Sequence, residues 1–424
     1  MRRITSVILL LLIVLTTQAQ TAREEINANR QLSANNYYAY SSPTGRLKAP
    51  PKGYEPFYIS TYARHGSRYL IDPNDYLFPK KVLLQADSLN KLTDTGKRTL
   101  EVVLQMSDMA EKRYGELTSV GARQHRGIAK RMYANFPQIF ADSAEVDARS
   151  TVVIRCILSM TSECLQLQAM NPKLKIRNDA SYHDMPYMNP SDKKLSNLAD
   201  SEEVKKARKE FEAKHIHPGR LMKVLFTDDA YVEENVDTVR LMRRLFDIAA
   251  NMQSHDTDME LYSLFTNDEC YDLWSCNNVY WYLTHACSPV TDCLMPYREA
   301  ELLRNILDTA DGALKDSKHG ATLRFGHESC LLPLVALLEL DNHGESYPDI
   351  EKLSEQWRAY NIFPMACNVQ FVFFRKKGND DILVKVLLNE HETKLPVKTD
   401  LAPYYHWKDV EGYYRAKLAK YHRI

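Results

Sequence analysis

Apolar positions along the chain alternate between two periods. Residues 57–62, Phe-Tyr-Ile-Ser-Thr-Tyr, are aromatic and β-branched and predict a strand. Tyr76 to Met109 carries its apolar residues at helical spacing and predicts one or two helices. From Ala122 to Phe136 the residues Ile128, Met132 and Phe136 recur every four positions, which predicts a helix with Thr118 as its N-cap. Val146 to Ala148 reads as a short strand ending at Arg149, followed by a helix carrying Ile154, Ile157, Leu158, Cys164 and Leu165. Ser191 to Met252 is rich in Lys, Glu and Leu at helical spacing, and Asn267 to Arg298 adds Trp274, Tyr280 and Trp281. This middle third predicts a mostly helical insertion. Residues 321–326 predict a further strand, followed by a helix from Leu331 to Leu340 with Pro333 in its first turn. Val369–Phe374 and Ile382–Leu388 flank Lys376-Lys377-Gly378-Asn379-Asp380, a hairpin signal, and Asp409 to Tyr421 predicts a closing helix. Thr21 to Pro51 is polar without a sustained period and reads as an extended arm or loop wrapping the fold.

At 424 residues the chain can bury a large core, and two domains or one domain with a big insertion are expected. Lys+Arg and Asp+Glu both number 55, so there is no bulk electrostatic drive toward nucleic acid or an acidic membrane face. Any anion affinity must be local. Arg2 and Arg3, the apolar run from Val7 to Leu15 and the small-residue exit to Gln20 have the layout of a secretory leader, residues 1–20. The apolar run is too short to span a membrane, and no later segment is long enough either. A periplasmic or extracellular location, with no membrane association after leader cleavage, is therefore expected. Export permits disulfides among the eight cysteines; Cys270 with Cys276 and Cys287 with Cys293 are spaced for local staples. A zinc site is the weaker alternative, since neither spacing is Cys-x-x-Cys.

The chemistry gathers at predicted strand ends. Arg64-His65-Gly66-Ser67-Arg68 follows the first strand, and two guanidiniums beside an imidazole repel one another unless an anion sits among them. By residue frequencies alone such a string arises in a chain this long with a probability on the order of 10⁻³. Arg149 ends a second strand; His327 and Glu328 follow a third. In an open α/β sheet, ligands bind outside the carboxyl ends of the strands, so the three ends can share one crevice suited to a phosphoryl group. There a neutral His65 can act as nucleophile and Glu328 as proton donor to the leaving alkoxide.

Arg64-His65-Gly66-Ser67-Arg68, Gly115-Glu116-Leu117-Thr118 with Gly121, Arg149-Ser150-Thr151 with Arg155, and Gly326-His327-Glu328 resemble the ordered motifs of the histidine acid phosphatases, clade 2 of the histidine phosphatase superfamily. The tracts 115–132 and 326–334 look most like those of multiple inositol polyphosphate phosphatases, a phytase-active branch. The resemblance implies an α/β fold: a phosphoglycerate-mutase-like three-layer αβα sheet domain, residues 21–160 and 300–424, with a helical insertion at 161–299. It implies an exported phosphomonoesterase that hydrolyses inositol hexakisphosphate through a phosphohistidine, without metal or other cofactor. In that reading His65 is the nucleophile, and Arg64, Arg68, Arg149 and His327 clamp the phosphate. Leu70 stands where the branch usually has Pro, and His327-Glu328-Ser329 where it has His-Ala-Glu, so the acid is assigned to Glu328. The alternatives are a broad-specificity or sugar-phosphate phosphatase, or a non-catalytic phosphate-ester binder.

Other polar residues have simpler readings. Arg155 matches a family position, but a structural arginine paired with a carboxylate accounts for it. His215-Ile216-His217 is a His-x-His without a further ligand, Lys80-Lys81 a solvated pair within possible reach of secondary phosphates, and Tyr69 either core or site border.

Overall fold

A computed structural model describes residues 20–316 and 319–421. The leader expected at residues 1–20 therefore lies outside the described residues, apart from Gln20. Eight strands form one sheet: β1 (Tyr54–Arg64), β2 (Glu145–Ser150), β3 (Lys175–Ala180), β4 (Gly320–Gly326), β5 (Asn368–Lys376), β6 (Asn379–Leu388), β7 (His391–Glu392) and β8 (Tyr405–His406). Their order is β3-β2-β4-β1-β5-β6-β7, with β8 on β6. The strands β3, β2, β4 and β1 run parallel, so they deliver their carboxyl ends to one edge. β5 and β6 close the sheet as an antiparallel hairpin, with Gly378 at a φ of +74° in its turn.

Period-two alternation sorts the side chains of β1. Ile59 and Ala63 face one layer, where they pack with Ile128, Met132 and Met160. That layer consists of α4 (Ser119–Asn135) and α5 (Ile154–Met170). Tyr58 and Tyr62 face the other layer and join the core around the helices Ala300–Asp316, Glu328–Leu337 and Trp407–Leu418. The expected three-layer αβα arrangement is therefore present. The second core runs on without interruption into a helical lobe, where Leu241, Trp274 and Trp281 are buried.

The lobe's boundaries differ from the expected 161–299. β3 is an edge strand of the sheet, and α5 packs on β2 and β4, so the sheet portion extends to residue 180. The lobe also includes α2 (Asn74–Ser88) and α3 (Asp94–Ala110), which pack on the helices Thr238–Asn251 and Gly219–Leu225. The arm is not wholly extended. Thr21 and Glu24 close a capping box that starts α1 (Ala22–Ala28), Ile26 is buried, and a 3₁₀ segment, Arg30–Tyr37, follows. Pro333 lies at the sixth position of its helix, because that helix begins at Glu328 and not at Leu331. Cys287 and Cys293 are bridged, whereas Cys270 and Cys276 are buried thiols. The latter pair sits six residues apart on the helix Asn267–His285, nearly two turns, and cannot meet.

Two glycines let the loop after β1 touch α4 backbone to backbone. A Cβ on Gly66 would lie 2.5 Å from Gly121 O, and one on Gly121 would lie 2.3 Å from Ser67 O. Thr118 caps α4 by accepting from Gly121 N–H and also donates to Ser67 O at 3.1 Å. Gly121→Ala is expected to destabilise the fold by about 1–3 kcal/mol through overpacking. A thermal midpoint lowered together with activity in the surviving folded fraction is the expected readout; an unchanged midpoint would mean that this contact yields freely.

Candidate active site

His65 leaves the end of β1 fully buried, and two backbone hydrogen bonds fix its neighbourhood. Arg64 N–H donates to Cys367 O at 2.8 Å, and His65 N–H donates to Gly326 O at 2.9 Å. His65 Nδ1 lies 2.9 Å from Gly66 O. A carbonyl only accepts, so Nδ1 carries the proton and Nε2 of the neutral ring keeps its lone pair. Burial, the largest influence, holds the imidazole well below its usual pKa, and Arg64 and Arg155 act in the same direction. The ring is therefore a neutral base with one nitrogen available.

Two guanidiniums, Arg64 and Arg68, meet Glu328 beside that nitrogen, and the charge of a third, Arg155, acts on the same ring. Arg64 is fixed through Nη1 to Phe363 O at 2.8 Å and Nη2 to Asn36 O at 2.7 Å. Arg68 donates to Tyr69 O at 3.0 Å and lies over the Tyr37 ring at 5.4 Å. Arg155, near the start of α5, reaches Gly115 O at 3.5 Å. Burial and the charge of Arg68 depress its pKa, and it in turn depresses those of His65 and His327. The Nε atoms of Arg64, Arg68 and Arg155, with Nε2 of His65, are buried without a hydrogen-bond partner among the described residues. Donors of this type in one place suit the oxygens of a tetrahedral anion.

Glu328 is the carboxylate in this group. Its Oε2 lies 3.1 Å from Arg64 Nε, at ion-pair distance but off the hydrogen-bond line, and 3.5 Å from His65 Nε2. Its Oε1 lies 3.7 Å from Arg68 and 3.4 Å from Asn36 Nδ2. Burial alone would raise its pKa, but the Arg64 and Arg68 guanidiniums hold it well below the usual carboxylate range. His327 sets its ring edge-on to His65, centroids 5.8 Å apart, with Nε2 3.2 Å from Thr151 Oγ1. Burial lowers its pKa to about 4 despite Glu328. His65, His327 and Glu328 have ligand atoms within 4.8 Å of one another, a spacing open to a cation, yet Arg64 and Arg68 already engage the only carboxylate of the three.

Of the residues expected at the site, Arg64, His65, Arg68, His327 and Glu328 come together, and Arg149 does not. Val146, Ala148 and Ser150 of β2 are buried, so Asp147 and Arg149 alternate to the opposite face. There Arg149 pairs with Asp179 at 2.7 Å, Asp147 at 3.1 Å and Asp184 at 3.3 Å. The alternation Val-Asp-Ala-Arg-Ser already carried this signal. Arg155, near the start of α5, has no carboxylate within ion-pair distance among the described residues, and its charge acts on His65 and His327. Asn36, which contacts both Arg64 and Glu328, comes from the arm and has no local sequence signature. His215 pairs with Glu351 and stacks on Phe211, Lys80 pairs with Asp108, and Tyr69 is buried against His255.

The structure resembles that of the Bifidobacterium longum multiple inositol polyphosphate phosphatase in complex with phosphate, with a TM-score of 0.76 at 19% identity over 91% of this chain and 98% of that one. The inositol hexasulfate complex of the same enzyme gives 0.73 at 18% identity over the same shares of both chains. The phytase from D. castellii gives 0.65 at 14% identity, covering 92% of this chain and 85% of that one. At these identities the likeness is one of fold. No curated protein sequence matches the chain. Residues 60–389 match the histidine phosphatase superfamily (branch 2), and the chain belongs to that family.

Proposed function

We propose that the protein is an exported phosphomonoesterase that removes phosphate from inositol polyphosphates, inositol hexakisphosphate foremost, through a phosphohistidine at His65. One observation carries this reading: a neutral imidazole with its free nitrogen near the Glu328 carboxylate, in a group whose Arg64, Arg68 and Arg155 Nε donors have no hydrogen-bond partner among the described residues. In the first step the Nε2 lone pair bonds phosphorus and the P–O ester bond breaks. Arg64, Arg68 and Arg155 hold the charge on the three non-bridging oxygens, and protonated Glu328 gives its proton to the leaving alkoxide. In the second step water attacks phosphorus and gives a proton to Glu328, the P–N bond breaks with its electron pair returning to His65 Nε2, and inorganic phosphate leaves.

Glu328 must change protonation state for this to work, and the substrate brings that change about. Without an anion, the arginines keep the carboxylate ionised. An arriving phosphate dianion engages those arginines and repels the carboxylate, which raises its pKa and draws a proton from solvent. Ser329 cannot supply this proton.

Two findings support a polyphosphorylated substrate. One structural neighbour was crystallised with inositol hexasulfate. Beside Asn36 and Tyr37 a cleft of about 550 Å³ is lined by Arg208, Arg240, Arg243 and Arg244 against Glu212, Asp237 and Asp247. Asn36 and Tyr37 also touch the catalytic group, so the cleft lies next to it.

Phosphate release from inositol hexakisphosphate by the purified protein should fall about 10³-fold or more in His65→Ala. A wild type as inert as this variant would instead establish a binding protein. Glu328→Gln should slow alkyl phosphates by roughly 10²–10⁴-fold and activated aryl phosphates far less, since only the former need protonation; equal losses would place the acid elsewhere. Calorimetry of phosphate binding in buffers of different ionisation enthalpy should show about one more proton taken up by the wild type than by Glu328→Gln. Arg208→Ala and Arg240→Ala should each raise KM for inositol hexakisphosphate about threefold to tenfold while leaving KM for p-nitrophenyl phosphate nearly unchanged. Equal shifts for both substrates would detach the cleft from substrate recognition.

A further inference from the structure

The backbone that carries His65 is held from behind by side chains of α4 and α5. Gly66 N–H donates to Ser159 Oγ at 3.1 Å, and Ser67 N–H donates to Gln124 Oε1 at 2.8 Å. A third support has different chemistry. His125 Nε2 lies 3.1 Å from the Arg64 carbonyl oxygen, and its Nδ1 lies 2.9 Å from Glu163 Oε2. Both side chains are buried, at 0% and 1% exposure, with the imidazole against the Phe325 ring.

Proton counting fixes the state of this pair. The Arg64 carbonyl only accepts, so Nε2 carries a proton. The Nδ1 to carboxyl contact needs a second proton, on whichever of the two atoms it resides. Burial favours that proton's retention on Glu163, while His125 and Arg131 pull the other way and Glu390 adds to burial. In either form the pair is neutral as a unit, and its ring is tied at both ends.

The tie falls on the peptide unit between Arg64 and His65, and the guanidinium and the imidazole depart from opposite ends of that plane. Tilting it would move donor and nucleophile relative to each other. Arg64 has separate anchors for its guanidinium at Phe363 O and Asn36 O, so the phosphate cage would persist while the imidazole moved.

We propose that His125, oriented by Glu163, is a positioning residue that holds the Arg64–His65 peptide so that His65 Nε2 stays in line with the bound phosphorus. This rests on the reading of His65 as nucleophile. His125→Gln and His125→Asn test it. The glutamine amide nitrogen reaches the depth of imidazole Nε2, whereas the asparagine amide ends at the depth of Nδ1 and can still meet Glu163. In His125→Asn, kcat for p-nitrophenyl phosphate should fall roughly 10- to 100-fold, the loss expected of a misplacement of about 1 Å. KM and the inhibition constant for inorganic phosphate should stay within about threefold, and His125→Gln should recover most of the rate. Wild-type kcat in His125→Asn, or a glutamine variant as slow as the asparagine one, overturns the proposal. If His125→Asn does not fold, Glu163→Met takes its place: it removes the carboxylate that orients the ring, so the same loss of kcat is expected and an unchanged kcat overturns the proposal. Full turnover in His65→Ala would defeat the nucleophile reading itself, whereas equal rates in the two His125 variants defeat only the positioning claim.

Discussion

The structure depends on holding positive charge where water does not reach. Arg64 and His65 are fully buried and Arg68 nearly so, and Arg155 adds a third guanidinium to the same group. Unit charges about 4 Å apart interact by roughly 4 kcal/mol at an effective dielectric near 20, so like charges grouped this closely would drive the loop open. Two features keep it closed. The imidazole stays neutral, and Glu328 places a carboxylate among the guanidiniums. A phosphate dianion relieves the same repulsion more fully, so stability and ligand recognition draw on one electrostatic arrangement.

That arrangement requires a rigid frame, and much of the fold serves it. Parallel pairing of β4 with β1 and β2 brings Gly326, Arg64 and Ser150 to one edge, which sets His327, His65 and Thr151 side by side. On one side α4 meets the loop after β1 through Gly121, Thr118, Gln124 and His125. On the other the arm supplies Asn36 and Tyr37, and the turn before β5 supplies the Phe363 carbonyl. Burial of this frame removes competing water, so its donors interact with an incoming anion at low dielectric.

Much of this was legible in the residues. The aromatic and β-branched run of β1, the four-residue recurrence in α4 and the glycine turn between β5 and β6 each follow one propensity, one period or one turn rule. What escaped has physical causes. β3, Lys-Ile-Arg-Asn-Asp-Ala, is a largely exposed edge strand, and without a buried face it leaves no hydrophobic alternation to read. The helical lobe draws α2 and α3 from a distant part of the sequence, a packing choice made only in three dimensions. The capping box Thr21-x-x-Glu24 was present, but a helix of seven residues offers too little periodicity to stand out. Arg149 and Arg155 both follow close on the proposed strand, and their elements separate them: Arg149 lies on the β2 face that meets three aspartates, whereas Arg155 lies in the first turn of α5.

In the proposed reaction Arg64, Arg68 and Arg155 grip one tetrahedral centre while His65 Nε2 bonds it. A crystal structure with orthovanadate tests this most directly. The expected result is a trigonal-bipyramidal vanadium bonded to His65 Nε2, with equatorial oxygens on the three guanidiniums and Arg149 still on Asp147, Asp179 and Asp184. Vanadate bound away from His65, or held by Arg149 in place of Arg155, would contradict it.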